Sequence, residues 1–262
     1  NTPGNTVLEE KKISRNHTEN LLKAINANIK IKKLKKGNLI TLGGQKNLNG
    51  FNLDISGDPS SAAPFIVITL LTPGAKLLIK NVNCNSTRMG FIKILKKMKA
   101  NIKIKNVKKK SAETIGSILI KNSSLKSITC PKKLVPSAID EFPLLFAVSA
   151  MIKGITKFSG INELRHKESD RIKSMENGLN KIGIKTKSTK DSLKIFGNPN
   201  VQLKKTLKIV PKNDHRIAMS FFCLGQLVKG NIEIKNFETV NTSFTKFLFI
   251  MKKIGAKFEI KK

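Results

Sequence analysis

Asp140-Glu141-Phe142-Pro143-Leu144-Leu145-Phe146-Ala147-Val148-Ser149-Ala150-Met151-Ile152-Lys153-Gly154 opens on two acids and a proline and ends on a glycine. Between them, Leu144–Ile152 is apolar whichever way a helix is turned. Such a helix has no wet face, so it is expected to be buried on every side. A strand at Ile155–Phe158 follows. Next comes Glu163-Leu164-Arg165-His166-Lys167-Glu168-Ser169-Asp170-Arg171, whose second half reads as the start of an amphipathic helix to about Lys181. Strands near Ile184–Lys187 and Leu193–Phe196 complete the unit. Its order is helix–strand–helix–strand–strand, over about 70–80 residues.

The unit recurs on both sides. Upstream, the turn Gly57-Asp58-Pro59-Ser60-Ser61 opens an apolar helix, Ala62–Leu71, which Pro73-Gly74 ends. A strand at Lys76–Val82 and a helix from about Thr87 to Met98 follow, then strands near Ile102–Val107, Ile115–Ile120 and Ser127–Cys130. Downstream, Asn213-Asp214-His215-Arg216 opens the helix Ile217–Val228, with Gly230 at its end. A strand at Ile232–Lys235, a helix to about Lys253 and a strand at Lys257–Ile260 close the chain. The second helices end alike, in Ile25-Asn26-Ala27-Asn28-Ile29, Met98-Lys99-Ala100-Asn101-Ile102, Ile182-Gly183-Ile184 and Ile254-Gly255-Ala256-Lys257-Phe258. Before Ser56 there is one helix with Leu21, Leu22 and Ile25, for which Ser14 or Asn16 is a candidate cap. Strands are expected there around Asn28–Leu34, Asn38–Leu42 and Phe51–Ile55. The three apolar helices are expected to pack together with sheets outside them.

Composition narrows the function. The 262 residues include 50 Lys and Arg against 17 Asp and Glu, a net charge of +33. Nucleic-acid binding is the obvious reading of such a charge. Against it, the lysines are spread out and alternate with isoleucine, as in Ile29-Lys30-Ile31-Lys32 and Ile102-Lys103-Ile104-Lys105, the pattern of strands with one wet face. There is no Trp or Tyr to serve as a stacking platform. A basic field that collects small anions is the preferred reading. Cys84, Cys130 and Cys223 are odd in number and far apart, which argues against a disulfide framework or zinc site and fits a reducing cytoplasm. His17, His166 and His215 have no metal-ligand spacing. No apolar run approaches a membrane span and no signal peptide is evident. Asn1 is not Met, and the start is read as that of a piece of a longer protein.

The chemistry concentrates at helix starts, where backbone N–H groups are unpaired and anions are welcome. At helical spacing Lys167, Glu168 and Arg171 lie near one face. Two cations in a first turn oppose the helix dipole, so something negative is expected opposite them. The alternative is a solvated face with an ordinary Glu–Arg pair. Arg216 stands against the dipole of an apolar helix in the same way, with pairing to Asp214 or a neighbouring acid as its alternative. Asp140 and Glu141 precede another apolar helix, where first-turn acids are common in any protein. Pseudo-symmetry would bring Arg171, Arg216 and Lys167 to one place beside Asp140 and Glu168. That is a site for a small polyanion with acid–base chemistry.

Four stretches, Gly57-Asp58-Pro59-Ser60-Ser61-Ala62-Ala63, Asp140-Glu141-Phe142-Pro143, Glu163 through Arg171, and Asp214-His215-Arg216-Ile217-Ala218-Met219-Ser220, together resemble the 5-enolpyruvylshikimate-3-phosphate (EPSP) synthase family in order and spacing. The resemblance implies an α/β fold, an inside-out α/β barrel of repeated helix–strand units. It implies transfer of the enolpyruvyl group of phosphoenolpyruvate to the 5-hydroxyl of shikimate 3-phosphate, in aromatic amino-acid biosynthesis. It implies no metal and no cofactor, and a monomer at full length. Carried over by motif, Asp140 is the base and Glu168 the acid. Lys167 resembles a shikimate 3-phosphate ligand, Arg171 and Arg216 resemble the pair on the phosphoenolpyruvate carboxylate, and Arg15 is a further candidate for the shikimate phosphate.

The chain departs from the family at several points. His166 stands where Val is usual. The lysine that some members carry near Thr242 is absent. The motif Lys-Ser-x-x-x-Arg and the loop Gly-Asn-x-Gly-Thr have no match. Residues 1–56 are therefore expected to be the last unit of an otherwise missing domain, and residues 57–262 a nearly complete second domain. The chain alone is expected to bind weakly and not to turn over. The alternatives are UDP-N-acetylglucosamine enolpyruvyl transferase and a basic, non-enzymatic nucleic-acid binder.

Overall fold

The computed structural model describes residues 2–261. In chain order the elements are β1 (Asn5–Glu10), α1 (His17–Ala24), β2 (Asn28–Lys33), β3 (Asn38–Gly43), α2 (Pro59–Leu71), β4 (Lys76–Asn83), α3 (Gly90–Lys97), β5 (Asn101–Lys110), β6 (Glu113–Lys121), α4 (Phe142–Ala150), β7 (Gly154–Ser159), α5 (Arg171–Ile182), β8 (Thr186–Thr189), β9 (Ser192–Gly197), β10 (Leu207–Ile209), α6 (His215–Gly225), β11 (Ile232–Ile234) and α7 (Phe247–Lys253). Short 3-10 turns at Pro136–Glu141 and Asn162–His166 lead into α4 and α5.

Every residue of α4 is buried, as its all-round apolar pattern requires. It touches α2 and α6, which also touch each other, so the three apolar helices form the centre. Around them stand the sheets β4-β6-β5, β7-β9-β8 and the two-stranded β10-β11. The sheet β1-β3-β2 has the same order, with the unit's last strand in the middle and antiparallel to both neighbours. Buried helices inside and sheets outside make the inside-out α/β arrangement. Local chemistry sets the ends of the helices. Asp58 caps α2 by accepting from the Ser60 and Ser61 amides at 3.2 and 3.0 Å, and Asp170 caps α5 by accepting from the Lys173 amide at 2.9 Å. The α5 helix stops where Gly183 turns left-handed at φ 93°.

The lysine–isoleucine alternation becomes a wet and a dry face in β5, with Ile102 4% exposed between exposed Asn101 and Lys103. In β2 the same pattern leaves Ile31 37% exposed, because nothing covers that sheet to the depth seen elsewhere. Four expectations fail. Phe51–Ile55 forms no strand, whereas β1 is a strand for which the sequence reading had no expectation. Ser127–Cys130 makes only a single bridge, Thr129 to Lys157. Lys257–Ile260 pairs with no strand; instead the Gln226 side chain donates to the Lys257 carbonyl at 3.0 Å and accepts from its amide at 2.9 Å, and this substitutes for a strand partner. Neither Ser14 nor Asn16 caps α1, since the Asn16 side chain accepts from Asn85 instead. Among the described residues no helix is long and apolar enough to cross a membrane.

Candidate active site

The starts of the three central helices lie at one end of the bundle, and the charged stretches converge there. Arg171, the first residue of α5, is the hub. Its side chain is almost wholly buried, and Nε donates to Asp214 at 2.9 Å while Nη2 donates to Glu168 at 2.5 Å. Nη1 lies 3.7 Å from Asp140 and makes no hydrogen bond. Asp214 also caps α6 through the Arg216 amide at 2.9 Å, and it accepts from Ser169 at 3.0 Å. One buried carboxylate thereby ties the start of α5 to the start of α6.

Asp140 sits at the end of the turn into α4. Burial pushes its carboxyl up, but the hydrogen bond and charge of Arg15, with Arg216 and Lys167, outweigh that and hold it below the usual carboxylate range. Glu141, the next residue, goes the other way. Burial raises it despite the hydrogen bond from Ser60 and the charge of Arg216, whose Nη1 is 3.9 Å away. Arg88 donates to Ser60 at 2.8 Å and pairs with Asp58 at 2.7 Å. Glu141 thus joins α2, α4 and α6 at their starts.

The sequence-predicted residues Asp140, Glu168, Arg171, Arg216, Lys167 and Arg15 come together here, though not as a helix face. Lys167 is extended (φ −90°, ψ −161°) and α5 begins only after Asp170, so Lys167 and Glu168 lie on the turn before the helix. The anions expected opposite the cations are present: Glu163 on Lys167 at 2.8 Å, and three carboxylates around Arg171. Arg216 leaves Asp214 to cap the helix and faces Glu141. Arg165 bonds Asp170 at 2.6 Å and the Thr189 and Lys190 carbonyls, which holds the turn, while His166 is exposed. Sequence reasoning passed over Ser60, Arg88 and the burial of Glu141. The only local sign was an acid at the start of an apolar helix, which is common. His215 is pushed down by burial and by Arg216, against Asp214 and Glu168. Among the described residues no cluster of His, Cys, Asp and Glu is arranged for a metal ion.

The profile of the family described as EPSP synthase (3-phosphoshikimate 1-carboxyvinyltransferase) matches residues 1–251. This chain belongs to the EPSP synthase family. Relatives named 3-phosphoshikimate 1-carboxyvinyltransferase include one from Zymomonas mobilis, 38% identical over 99% of this chain, and one from Petrotoga mobilis, 41% identical over 96%. The chain spans 58% and 57% of their lengths. An EPSP synthase structure from Acinetobacter baumannii superposes with a TM-score of 0.89 at 38% identity, over 99% of this chain and 59% of that one. The enolpyruvyl transferase NikO from Streptomyces tendae shares the fold alone, at TM-score 0.72 and 16% identity over 98% of this chain and 56% of its own.

Proposed function

We propose that this chain is part of an enzyme that transfers the enolpyruvyl group of phosphoenolpyruvate to the 5-hydroxyl of shikimate 3-phosphate, with release of phosphate. The observation that carries the proposal is the convergence of Arg15, Asp140, Lys167, Glu168, Arg171 and Arg216 at one end of the bundle, in a member of this family. Both substrates are polyanions, and guanidinium groups suit carboxylate and phosphate bidentately. Arg171 Nη1 is a buried donor without a partner, aimed at Asp140, and suits a substrate carboxylate. Arg216 is its companion, and Lys167 and Arg15 serve the shikimate phosphate side.

In this reading Asp140 takes the proton of the 5-hydroxyl as its oxygen bonds to C2 of phosphoenolpyruvate. Glu168, half-exposed at 47%, delivers a proton to the methylene carbon. The tetrahedral adduct then loses a proton from that carbon and expels phosphate, restoring the double bond. An aspartate held down by Arg15 is a weak base. When Arg15 turns to the shikimate phosphate, Asp140 recovers basicity at the moment it is needed. Division near residue 56 into a first domain and a second belongs to the same proposal. It is supported by the lack of any buried residue from Thr2 to Asp58 and by the chain's 58% span of a relative.

Calorimetry and phosphate release on the protein at its full natural length test the reading. Lys167→Ala is expected to weaken shikimate 3-phosphate, and Arg216→Ala phosphoenolpyruvate, each at least about tenfold, as loss of a charged hydrogen bond implies. Asp140→Asn is expected to bind both yet release no phosphate. Release at the parental rate from Asp140→Asn overturns the assignment.

A further inference from the structure

No side chain from Thr2 to Asp58 is buried, and none joins either hydrophobic cluster of the protein. Among the described residues, hydrogen bonds and ion pairs from residues before 57 to the rest of the chain fall at two places. One is an exposed pair, Asp54 with Lys110 at 2.7 Å, of a kind that contributes little. The other is the run Arg15-Asn16-His17. The Asn16 side chain accepts from Asn85 at 2.8 Å, and His17 Nδ1 lies 2.6 Å from Glu113. Glu113 also accepts from Asn83 at 3.3 Å and Asn85 at 3.2 Å.

A carboxylate only accepts, so Nδ1 carries the proton of the His17 bond. Burial pushes the Glu113 carboxyl up, but the bonds from His17, Asn83 and Asn85 outweigh this and keep it an anion. The clasp therefore joins the start of α1 to the β4–α3 loop and the start of β6. Arg15 is the residue just before it and reaches Asp140. An arginine side chain is long and free about several bonds, so the place of its backbone decides what it reaches. No apolar burial stands in reserve at this junction.

We propose that His17 and Glu113 are positioning residues that set Arg15 against the carboxylate of Asp140. The enolpyruvyl-transfer reading supplies only the reason why Asp140 matters. The groups that face Asp140 are Arg15, Arg171 from α5, Arg216 from α6, Lys167 from the preceding turn and its neighbour Glu141. Of these, Arg15 alone lies within two residues of the clasp in the chain.

Titration of the Asp140 carboxyl carbon by NMR in the full chain reads the position of Arg15 directly. Arg15→Ala is expected to raise its midpoint by about one unit. His17→Ala and Glu113→Ala are expected to raise it in the same direction, each by about half a unit or more. His17→Asn keeps a donor where Nδ1 stands and is expected to return the midpoint to the parental value. The idea fails if Arg15→Ala moves the midpoint while His17→Ala and Glu113→Ala leave it in place. It also fails if Arg15→Ala does nothing, or if His17→Asn behaves like His17→Ala. Thermal melting followed alongside distinguishes lost position from lost fold. No ligand enters the titration, so it is decided apart from the substrate assignment.

Discussion

Asp140 and Glu141 are adjacent acids with opposite fates. Arg15 arrives 125 residues away in the chain to hold Asp140 down, while Glu141 is 2% exposed with one oxygen unpartnered. The raised Glu141 contributes stability that is full below the ordinary glutamate range and is lost as pH rises through its folded value. The depressed Asp140 contributes stability present above the ordinary aspartate range and lost as pH falls through its folded value. Glu141→Gln removes the first cost. The variant is expected to gain on the parent with rising pH, by about 1.4 kcal/mol for each unit of the Glu141 shift. That is about 2–4 °C of melting temperature per kcal/mol. Melting curves at pH 5 and pH 8 check this; a gain no larger at pH 8 than at pH 5 would sink it. Nothing local in Asp140-Glu141 announces this difference, because it depends on which charges the fold delivers to each carboxyl.

At the scale of elements, what was readable followed from pattern. The all-round apolar helices were legible because no face of theirs tolerates water. The amphipathic helices, which became α3 and α5, were legible from their period. Strands at the edges were not, since a strand exists only when a neighbour accepts its hydrogen bonds, and Phe51–Ile55 and Lys257–Ile260 find no strand to pair with. Packing between elements was equally silent at Gly178 in α5. A Cβ there would stand 2.0 Å from the ring of Phe221 in α6, a fully buried side chain. Gly178→Ala is therefore expected to destabilise by about 2 kcal/mol, an overpacking cost of about 3 kcal/mol, at the upper end for so close an approach, offset by about 1 kcal/mol of helix propensity. Denaturant unfolding measures it. The double variant with Phe221→Leu should recover part of the loss, and a Gly178→Ala protein as stable as the parent refutes the close approach.

For the whole molecule, the decisive quantity is how much of the family's length is present. The chain spans 58% of the Zymomonas mobilis relative and 59% of the Acinetobacter baumannii structure. The site is built from one end of a helix bundle, with Arg15 as the sole contributor among the assigned residues from before residue 57. The 262-residue chain is therefore expected to bind shikimate 3-phosphate weakly and to release no phosphate from phosphoenolpyruvate. A coupled phosphate assay checks this, and substantial turnover by this chain refutes it. The net charge of +33 adds a field that attracts small anions and is screened by salt.

The sequence by itself determined the repeated unit, the burial of three helices, the family and the roster of charged residues at helix starts. Each is a matter of periodicity, or of a motif short enough to be contiguous. Only the tertiary structure decided that Lys167 and Glu168 precede α5 rather than share its face, that Asp214 serves Arg171 rather than Arg216, and that Glu141 rather than its neighbour Asp140 is fully buried. It also decided that His17, two residues after Arg15, takes Glu113 as its partner. The physical reason is common to all four. A charged side chain takes the partner that folding brings within about 3 Å, and hydrogen-bond geometry at that range is set by distant segments of the chain.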